Sequence, residues 1–433
     1  MSLLADRVHR LGTENAFKVG PFIAQVEKEG HPVIKCNLGE PDFPLPPHIK
    51  EEVKAAIDGD MTHYCDPQGI LPLREAVAHD VGERRGIAVT PDRVVVCAGA
   101  KPPIAYSMET YCNAGDEVIY PSPGFPIYES YARYLQAVPV PLHLEEKDGF
   151  SVTGDQLERL ITPSTKLIIL NFPSNPTGGV ASRQQLEELA EVIRRKAPRD
   201  VRIYSDEVYE NILFDGAQHV SIASMEGMAE RTVIVSGVSK SFSWTGGRVG
   251  WAVLPTAAEA ALFKNLNINT ISCVPAYNQM GARLALTSPE SAGAIAGMVS
   301  AFQERRDAVV SDLNAIDGIS CQMPLGAFYV FPNIAGVCET LGAFSVFESL
   351  PADVRARTSP SSLFQMFLLF RYHVAAMDRR SFGDLGAEGR HFLRLSIATG
   401  LDDLREAVAR IGRASRDQEG FAALMKEATP PWA

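Results

Sequence analysis

A chain of 433 residues is longer than one hydrophobic core usually fills, so two lobes, or a large α/β domain with a smaller one appended, is the starting expectation. Hydrophobic residues make up 46% and charged residues 21%, a balance that excludes a disordered chain. A net charge of −11 lacks the positive field that a nucleic-acid or anionic-membrane surface needs, so any anionic ligand must be held by a local pocket.

Seven cysteines, Cys36, Cys65, Cys97, Cys112, Cys273, Cys321 and Cys338, are odd in number, widely spaced and without a CxxC pair. That pattern points to free thiols in a reducing, cytoplasmic setting, with neither a disulfide framework nor a metal site expected. The first twenty residues are broken by Asp6, Arg7, His9, Arg10, Glu14 and Lys18, and no stretch is apolar for the ~18 residues that a membrane span needs. Neither export nor membrane insertion is expected.

In chain order, Gly30–Asn37 has the character of a strand without obvious partners nearby. Short runs rich in β-branched residues and bounded by Gly, Pro or Asn follow at Arg93–Cys97, Glu117–Tyr120, Lys166–Asn171, Val201–Ser205, Thr232–Ser236 and Arg248–Leu254. Helical stretches such as Ile104–Cys112 and Ser182–Arg195 separate them, and this alternation predicts an α/β fold with a mostly parallel sheet. A long amphipathic helix over 292–316 places Met298, Phe302, Val309 and Leu313 on one face. The expected organisation is a large domain over 50–290 and a smaller one built from 1–49 and 291–433.

Four segments carry chemistry. In V-S-G-V-S-K-S-F-S-W-T-G-G-R-V-G-W, Lys240 follows a buried strand in a Gly/Ser-rich turn, and Arg248 lies eight residues on. A single lysine is most often a solvated surface charge. An imine-forming lysine, however, must be partly desolvated, and a phosphate needs a permanently charged, fork-shaped partner; Lys240 and Arg248 meet those two needs. In V-R-I-Y-S-D-E-V-Y-E, Asp206 ends a strand, with Tyr209 three residues later; alone, such an acid is more often a helix N-cap. In N-F-P-S-N-P-T-G-G, Asn175 sits in a turn where asparagine is common. In V-C-A-G-A-K-P-P-I a strand ends at Gly99 and runs into a helix start, so the N–H groups of Ala100 and Lys101 are placed to hold an anion.

Together these segments resemble the class I/II aminotransferases of the fold-type I pyridoxal-phosphate enzymes, in the branch that contains bacterial aspartate aminotransferases. The resemblance extends to N-L-G-E-P-D-F (Asn37–Phe43), H-Y-C-D-P-Q-G-I-L-P-L-R-E-A-V (His63–Val77), P-S-P-G-F-P-I-Y-E-S (Pro121–Ser130) and F-L-R-L-S-I-A (Phe392–Ala398), and it covers nearly the whole chain. It implies a large domain with a mostly parallel central sheet flanked by helices, plus a smaller α+β domain. It makes Lys240 the residue that carries pyridoxal 5′-phosphate as a Schiff base and shuttles the substrate proton. Asp206 becomes the partner of the pyridine nitrogen, keeping the ring an electron sink. Tyr209 and Asn175 become partners of its phenolic oxygen, Phe125 stacks on the ring, and Arg248, Ala100, Lys101 and a serine hold the phosphate. Arg394 becomes the clamp on the substrate α-carboxylate, through two parallel hydrogen bonds, beside Gly39, Phe125 and Asn175. Tyr64 would reach the phosphate of a neighbouring subunit, which implies a homodimer with shared sites. The implied reaction transfers an amino group from an L-amino acid, aspartate or glutamate by family weight, to a 2-oxo acid in two half-reactions.

The chain also departs from the family. Phe125 stands where the aspartate-specific branch usually has Trp, and Gly237 stands where relatives often have Ser, which leaves Ser239, with Ser236 second, as the phosphate hydroxyl. Gly247 replaces a common Trp, Ala343–Ser362 has the character of an insertion, and H-V-A-A-M-D-R-R-S-F-G follows it. Arg379 and Arg380 in that stretch are expected as a solvated surface pair, the alternative being a place near the substrate's side chain. Two other activities fit the same fold: a lyase or O₂-using oxidase with this cofactor, and a ligand-sensing relative without turnover. The second normally carries a DNA-binding module ahead of the shared fold, and here the match begins by about Glu14.

Overall fold

The computed structural model describes residues 3–12 and 15–427; Glu14 lies outside them. Twelve strands are assigned among the described residues: β1 (Ile34–Lys35), β2 (Val94–Cys97), β3 (Glu117–Ser122), β4 (Val138–His143), β5 (Thr165–Asn171), β6 (Arg202–Asp206), β7 (Thr232–Gly237), β8 (Gly250–Val253), β9 (Tyr329–Val330), β10 (Val374–Ala375), β11 (Met377–Asp378) and β12 (Leu393–Ser396). β2 to β8 form one seven-stranded sheet in the order β2-β8-β7-β6-β5-β3-β4. β8 runs antiparallel to both neighbours, and the other pairings are parallel. The remaining strands therefore all point one way, and their C-terminal ends line one edge, where ligands of open α/β sheets bind.

Why these residues make strands is visible in their burial. Val94–Cys97, Leu167–Asn171 and Thr232–Gly237 are buried at every position, so both faces of the sheet are covered and the sequence is a continuous apolar run rather than an alternation. The helices that cover it include Pro102–Tyr111, displaced from the expected Ile104–Cys112, and Arg183–Lys196 in place of Ser182–Arg195, with Ser182 outside as its cap. β4 was not expected, because V-P-V-P-L-H carries two prolines. It is an edge strand, paired to β3 alone, and there proline removes no ladder hydrogen bond that matters. The predicted strand Arg248–Leu254 shortens to Gly250–Val253, since Arg248 has φ +51° and cannot continue a ladder.

A second core gathers residues between 298 and 424 with Cys36 and with Tyr209, Ile212 and Phe214. The expected strand over Gly30–Asn37 is the two-residue β1, which finds its partner in β10, parallel and more than 300 residues downstream. β11, β12 and β9 form a three-stranded antiparallel sheet that carries Arg394. The long helix runs Glu290–Asn314 and buries Met298, Phe302, Val309 and Leu313 as its periodicity requires. The segment Ala343–Ser362 folds into the helices Ala343–Ser349 and Ala352–Arg355 and the start of Pro360–Tyr372. No helix among the described residues is long and apolar enough to cross a membrane.

Candidate active site

A cavity of about 410 Å³ opens at the C-terminal edge of the large sheet. Lys240, Asp206, Tyr209, Ala100, Lys101, Phe125, Asn175, Ser239, Arg248, Gly39 and Arg394 all line it. Residues drawn from separate parts of the chain thus converge on one concave space, which is where chemistry is sought first. Tyr64 does not line it; that side chain is 89% exposed.

Glycines make the floor. Gly237 of β7 lies against Gly250 of β8, where a Cβ would stand 2.8 Å from the Gly250 Cα, and a Cβ on Gly250 would stand 2.6 Å from the Gly99 carbonyl carbon. This backbone contact leaves no room for a serine at 237, and it draws the start of the helix Pro102–Tyr111 down to the strand ends. Pro102 and Pro103 have no N–H, so the donors at that helix start belong to Ala100 and Lys101. Gly99, at φ +84°, gives way to the guanidinium of Arg248, which is held by the carbonyls of Ala98 and Thr245 at 2.9 Å each. Ser239 faces the cavity, whereas the Ser236 hydroxyl is buried and donates to Glu210 Oε1 at 2.6 Å. Gly247 also has a packing reason: a Cβ there would run into the indole of Trp244, which fills the space from its own position.

The acid at the strand end is not a helix cap. Asp206 is buried; its Oδ2 accepts from the Tyr128 hydroxyl at 2.6 Å, and its Oδ1 has no hydrogen-bond partner among the described residues. Burial above all, with nearby Glu207, pushes its pKa up to about 6, against the lowering effects of Tyr128, the Val208 N–H and Lys240. Asn171 holds the same turn, donating to the Asp206 carbonyl at 3.1 Å and accepting from the Asn175 N–H at 3.0 Å. Lys240 Nζ donates to the Gly39 carbonyl at 2.6 Å, across 201 residues of chain.

Arg394 is buried between two rings, its guanidinium carbon 4.6 Å from the Tyr329 centroid and 4.8 Å from that of Phe382. It donates to Asn175 Oδ1 at 3.1 Å and to the Asn37 carbonyl. With its Oδ1 engaged, the amide of Asn175 has its NH₂ left to donate. Tyr329 also meets Tyr209, hydroxyl to hydroxyl, at 2.7 Å, and burial raises the Tyr209 pKa well above its ordinary value. Gly39 is required here, because a Cβ would collide with the Tyr329 hydroxyl. Sequence reasoning missed Tyr128, Asn171, Tyr329 and Phe382, which act through contacts distant in sequence.

Behind the cavity, buried Arg85 is paired with Glu207 and, at 2.6 Å, with Glu210, while His219 meets Glu207 at 2.8 Å. Burial by itself would raise Glu207, but Arg85 and His219 hold it well below the usual carboxylate range. Glu207, Glu210 and His219 have the grouping of metal ligands, yet the guanidinium of Arg85 occupies the cation's place between the carboxylates. The expectation for Arg379 is corrected: its side chain is buried, donating to the Gly383 carbonyl and to Ser122 Oγ at 2.9 Å each, because the turn Arg379–Phe382 folds inward. Arg380 is partly exposed, pairs with Asp384 at 3.2 Å and donates to the carbonyls of Thr358 and Ala356. Neither arginine lines the cavity.

These donors suit a phosphorylated pyridine aldehyde: a lysine amine, a buried carboxylate oxygen still open to a donor, and an anion cradle of two N–H groups, a hydroxyl and an arginine. The family model for aminotransferase class I and II matches residues 31–411. The aspartate aminotransferase of Rhizobium meliloti strain 1021 is 35% identical over 95% of this chain and 95% of its own length. An aromatic-amino-acid aminotransferase of Thermococcus litoralis is 32% identical over 96% and 99%. Among solved structures, the Rhizobium meliloti aspartate aminotransferase superposes with a TM-score of 0.84 at 33% identity, covering 96% of this chain and 99% of that one. The Thermus thermophilus aspartate aminotransferase with maleate gives 0.83 at 29%, covering 96% and 100%. The chain belongs to the class I and II aminotransferases, enzymes that work with pyridoxal 5′-phosphate.

Proposed function

We propose that this aminotransferase takes aspartate or glutamate as amino donor and a 2-oxo acid such as 2-oxoglutarate as acceptor, with Lys240 as its covalent anchor and proton carrier. One observation carries the reading: Lys240, Asp206 and Arg394 meet in a single cavity whose lining also includes Lys101 and Arg248. Relatives named for aspartate, and a structural neighbour with maleate, support the dicarboxylate.

When bound, pyridoxal 5′-phosphate supplies a ring that accepts the electron pair left as the substrate Cα proton departs. Arg248, Ser239 and the N–H groups of Ala100 and Lys101 would hold its phosphate, Asp206 would partner its pyridine nitrogen, Tyr209 and Asn175 would partner its phenolic oxygen, and Phe125 would stack on its ring. Arg394 binds the substrate α-carboxylate and, locked between Tyr329 and Phe382, fixes the direction of the Cα–H bond. The Lys240 amine lies in the same cavity and would serve as the base that takes the substrate Cα proton and holds it on its Nζ. A second 2-oxo acid reverses the sequence, which makes the kinetics ping-pong.

Tyr64 projects outward and reaches the phosphate of a neighbouring subunit in a homodimer, a reading supported by its exposure. The chain divides into a large cofactor-binding domain, residues 50–290, and a smaller domain from 1–49 and 291–433. Seven free cysteines fit a cytoplasmic enzyme. A panel of amino acids, each mixed with the holoenzyme and 2-oxoglutarate, tests the substrate. Aspartate with the highest kcat/KM supports it, and a preference for aromatic or aliphatic donors refutes it.

A further inference from the structure

A second cavity, of about 190 Å³, lies on the far side of the turn Arg379–Phe382 from the catalytic one. That turn sends Ser381 and Phe382 into the first cavity and Arg379 into the second. Arg379 is 1% exposed; its two terminal nitrogens are spent on a carbonyl and a hydroxyl, and its Nε, also buried, has no partner among the described residues. No carboxylate among those residues forms an ion pair with it. His391 lines the same space with a buried Nδ1 that has no partner either. Asp378 and Glu129 act on Arg379 only from a distance, and Arg390 opposes them. A buried guanidinium with no ion pair and an unused donor is costly unless an anion completes it.

The opposite charge is present too. Glu145 and Glu146 line the cavity; Glu145 is paired with Arg390 at 2.8 Å, whereas Glu146, among the described residues, receives only neutral donors, from Asn333 at 2.9 Å and Ser320 at 3.4 Å. Three phenylalanines form much of the remaining wall, beside Pro123 and Leu144: Phe331 and Phe392 stack at 4.9 Å, and Phe150 meets both edge-on. A simple anion would be repelled by Glu146, and a simple cation by Arg379. A molecule bearing one carboxylate, one ammonium and an apolar body satisfies all three surfaces.

The geometry points to this cavity as a second binding site, for a free α-amino acid with an apolar or aromatic side chain. Its carboxylate takes the Arg379 Nε and the His391 ring, its ammonium faces Glu146, and its side chain packs on the three phenylalanines. Because one turn serves both cavities, such a ligand stiffens the wall that Ser381 and Phe382 present to substrate. The site is independent of the catalytic reading and stands or falls without it.

Calorimetric titration of the borohydride-reduced holoenzyme, whose Lys240 can no longer exchange, with L-phenylalanine tests this. Binding is expected in the native protein and in Arg394→Gln, and at least tenfold weaker in Arg379→Gln. Ala335→Phe fills the cavity from a wall residue outside the catalytic site and decides the matter if Arg379→Gln fails to fold; it too should weaken binding at least tenfold while leaving basal aminotransfer unchanged. 3-Phenylpropionate and 2-phenylethylamine, each lacking one charge, should bind at least tenfold more weakly. No binding to the native protein, binding lost in Arg394→Gln but kept in Ala335→Phe, or 3-phenylpropionate binding as well as L-phenylalanine would each overturn the proposal.

Discussion

Tyr128→Phe deletes one hydroxyl, the donor that reaches Asp206 Oδ2 at 2.6 Å. Both residues are buried, so bulk water does not take its place. A hydrogen bond to a charged group contributes about 1.5–3 kcal/mol, and at about 1.4 kcal/mol per pKa unit its loss raises the carboxyl by roughly one to two units. Asp206 of the cofactor-free protein, which burial has already pushed up to about 6, then moves to roughly 7–8. Cofactor capture uses the ionised carboxylate, opposite a protonated pyridine nitrogen. At about pH 6.5 roughly three quarters of native sites are ionised against roughly a tenth of variant sites, taking about 7.5 for the variant, so the Kd for pyridoxal 5′-phosphate rises about eightfold. At about pH 8.5 both are ionised and the gap closes. Titrating cofactor into each protein across this range, followed by the absorbance of the bound form, measures it. A gap that is constant with pH, or one that widens as pH rises, would refute the reasoning.

Other outcomes follow from the same geometry. The folded-state pKa of Asp206, about 6, lies above its ordinary 3.8, so the folded cofactor-free protein binds this proton more tightly than the unfolded chain does. The associated stability is complete below about pH 4 and is lost as pH rises through about 6, a span of roughly 2.2 units or about 3 kcal/mol. Asp206→Asn cannot titrate, so urea unfolding of the cofactor-free variant should lack that fall; an unchanged pH profile would contradict it. Arg394→Lys keeps the charge but loses the planar fork held between Tyr329 and Phe382, and kcat/KM should drop about a hundredfold, or about 2.7 kcal/mol. A loss under about threefold would remove Arg394 from the clamp role. Gly99→Ala meets both a left-handed backbone, φ +84°, and the Arg248 guanidinium. The strain of about 1–3 kcal/mol should lower the thermal stability of the cofactor-free protein, and displacement of Arg248 should weaken cofactor affinity by about tenfold as well; an unchanged affinity would remove Arg248 from the cradle.

What was legible in the sequence was local. Lys240, Asp206 and Asn175 stand at the ends of apolar runs beside small residues, and β5, β6 and β7 needed no tertiary information because burial on both faces leaves a continuous hydrophobic signature. β4 escaped because proline argues against a strand unless the strand is known to be at an edge, and edges are a property of the sheet. Tyr329 and Tyr128 escaped for a related reason: the first acts on Tyr209 from 120 residues away and the second on Asp206 from 78, and although Tyr128 lies within Pro121–Ser130, nothing in that segment names its partner. Arg379 was misjudged because Asp-Arg-Arg-Ser has the composition of a solvated turn, and only the inward fold of Arg379–Phe382 buries it. The reason for Gly247 is tertiary: the indole of Trp244 stands in the space a side chain there would occupy.

The central claim is that the site built around Lys240 moves an amino group from one substrate to the next, with Lys240 as anchor and proton carrier, and performs no further chemistry. A single-turnover experiment without acceptor tests this most directly. Holoenzyme mixed with excess L-glutamate should form one equivalent of 2-oxoglutarate per site, lose the absorbance of its lysine-bound cofactor, and stop until a 2-oxo acid such as oxaloacetate restores it, with Lys240→Ala inert throughout. Continued release of oxo acid beyond one equivalent, with ammonia formed or oxygen consumed, would contradict the account.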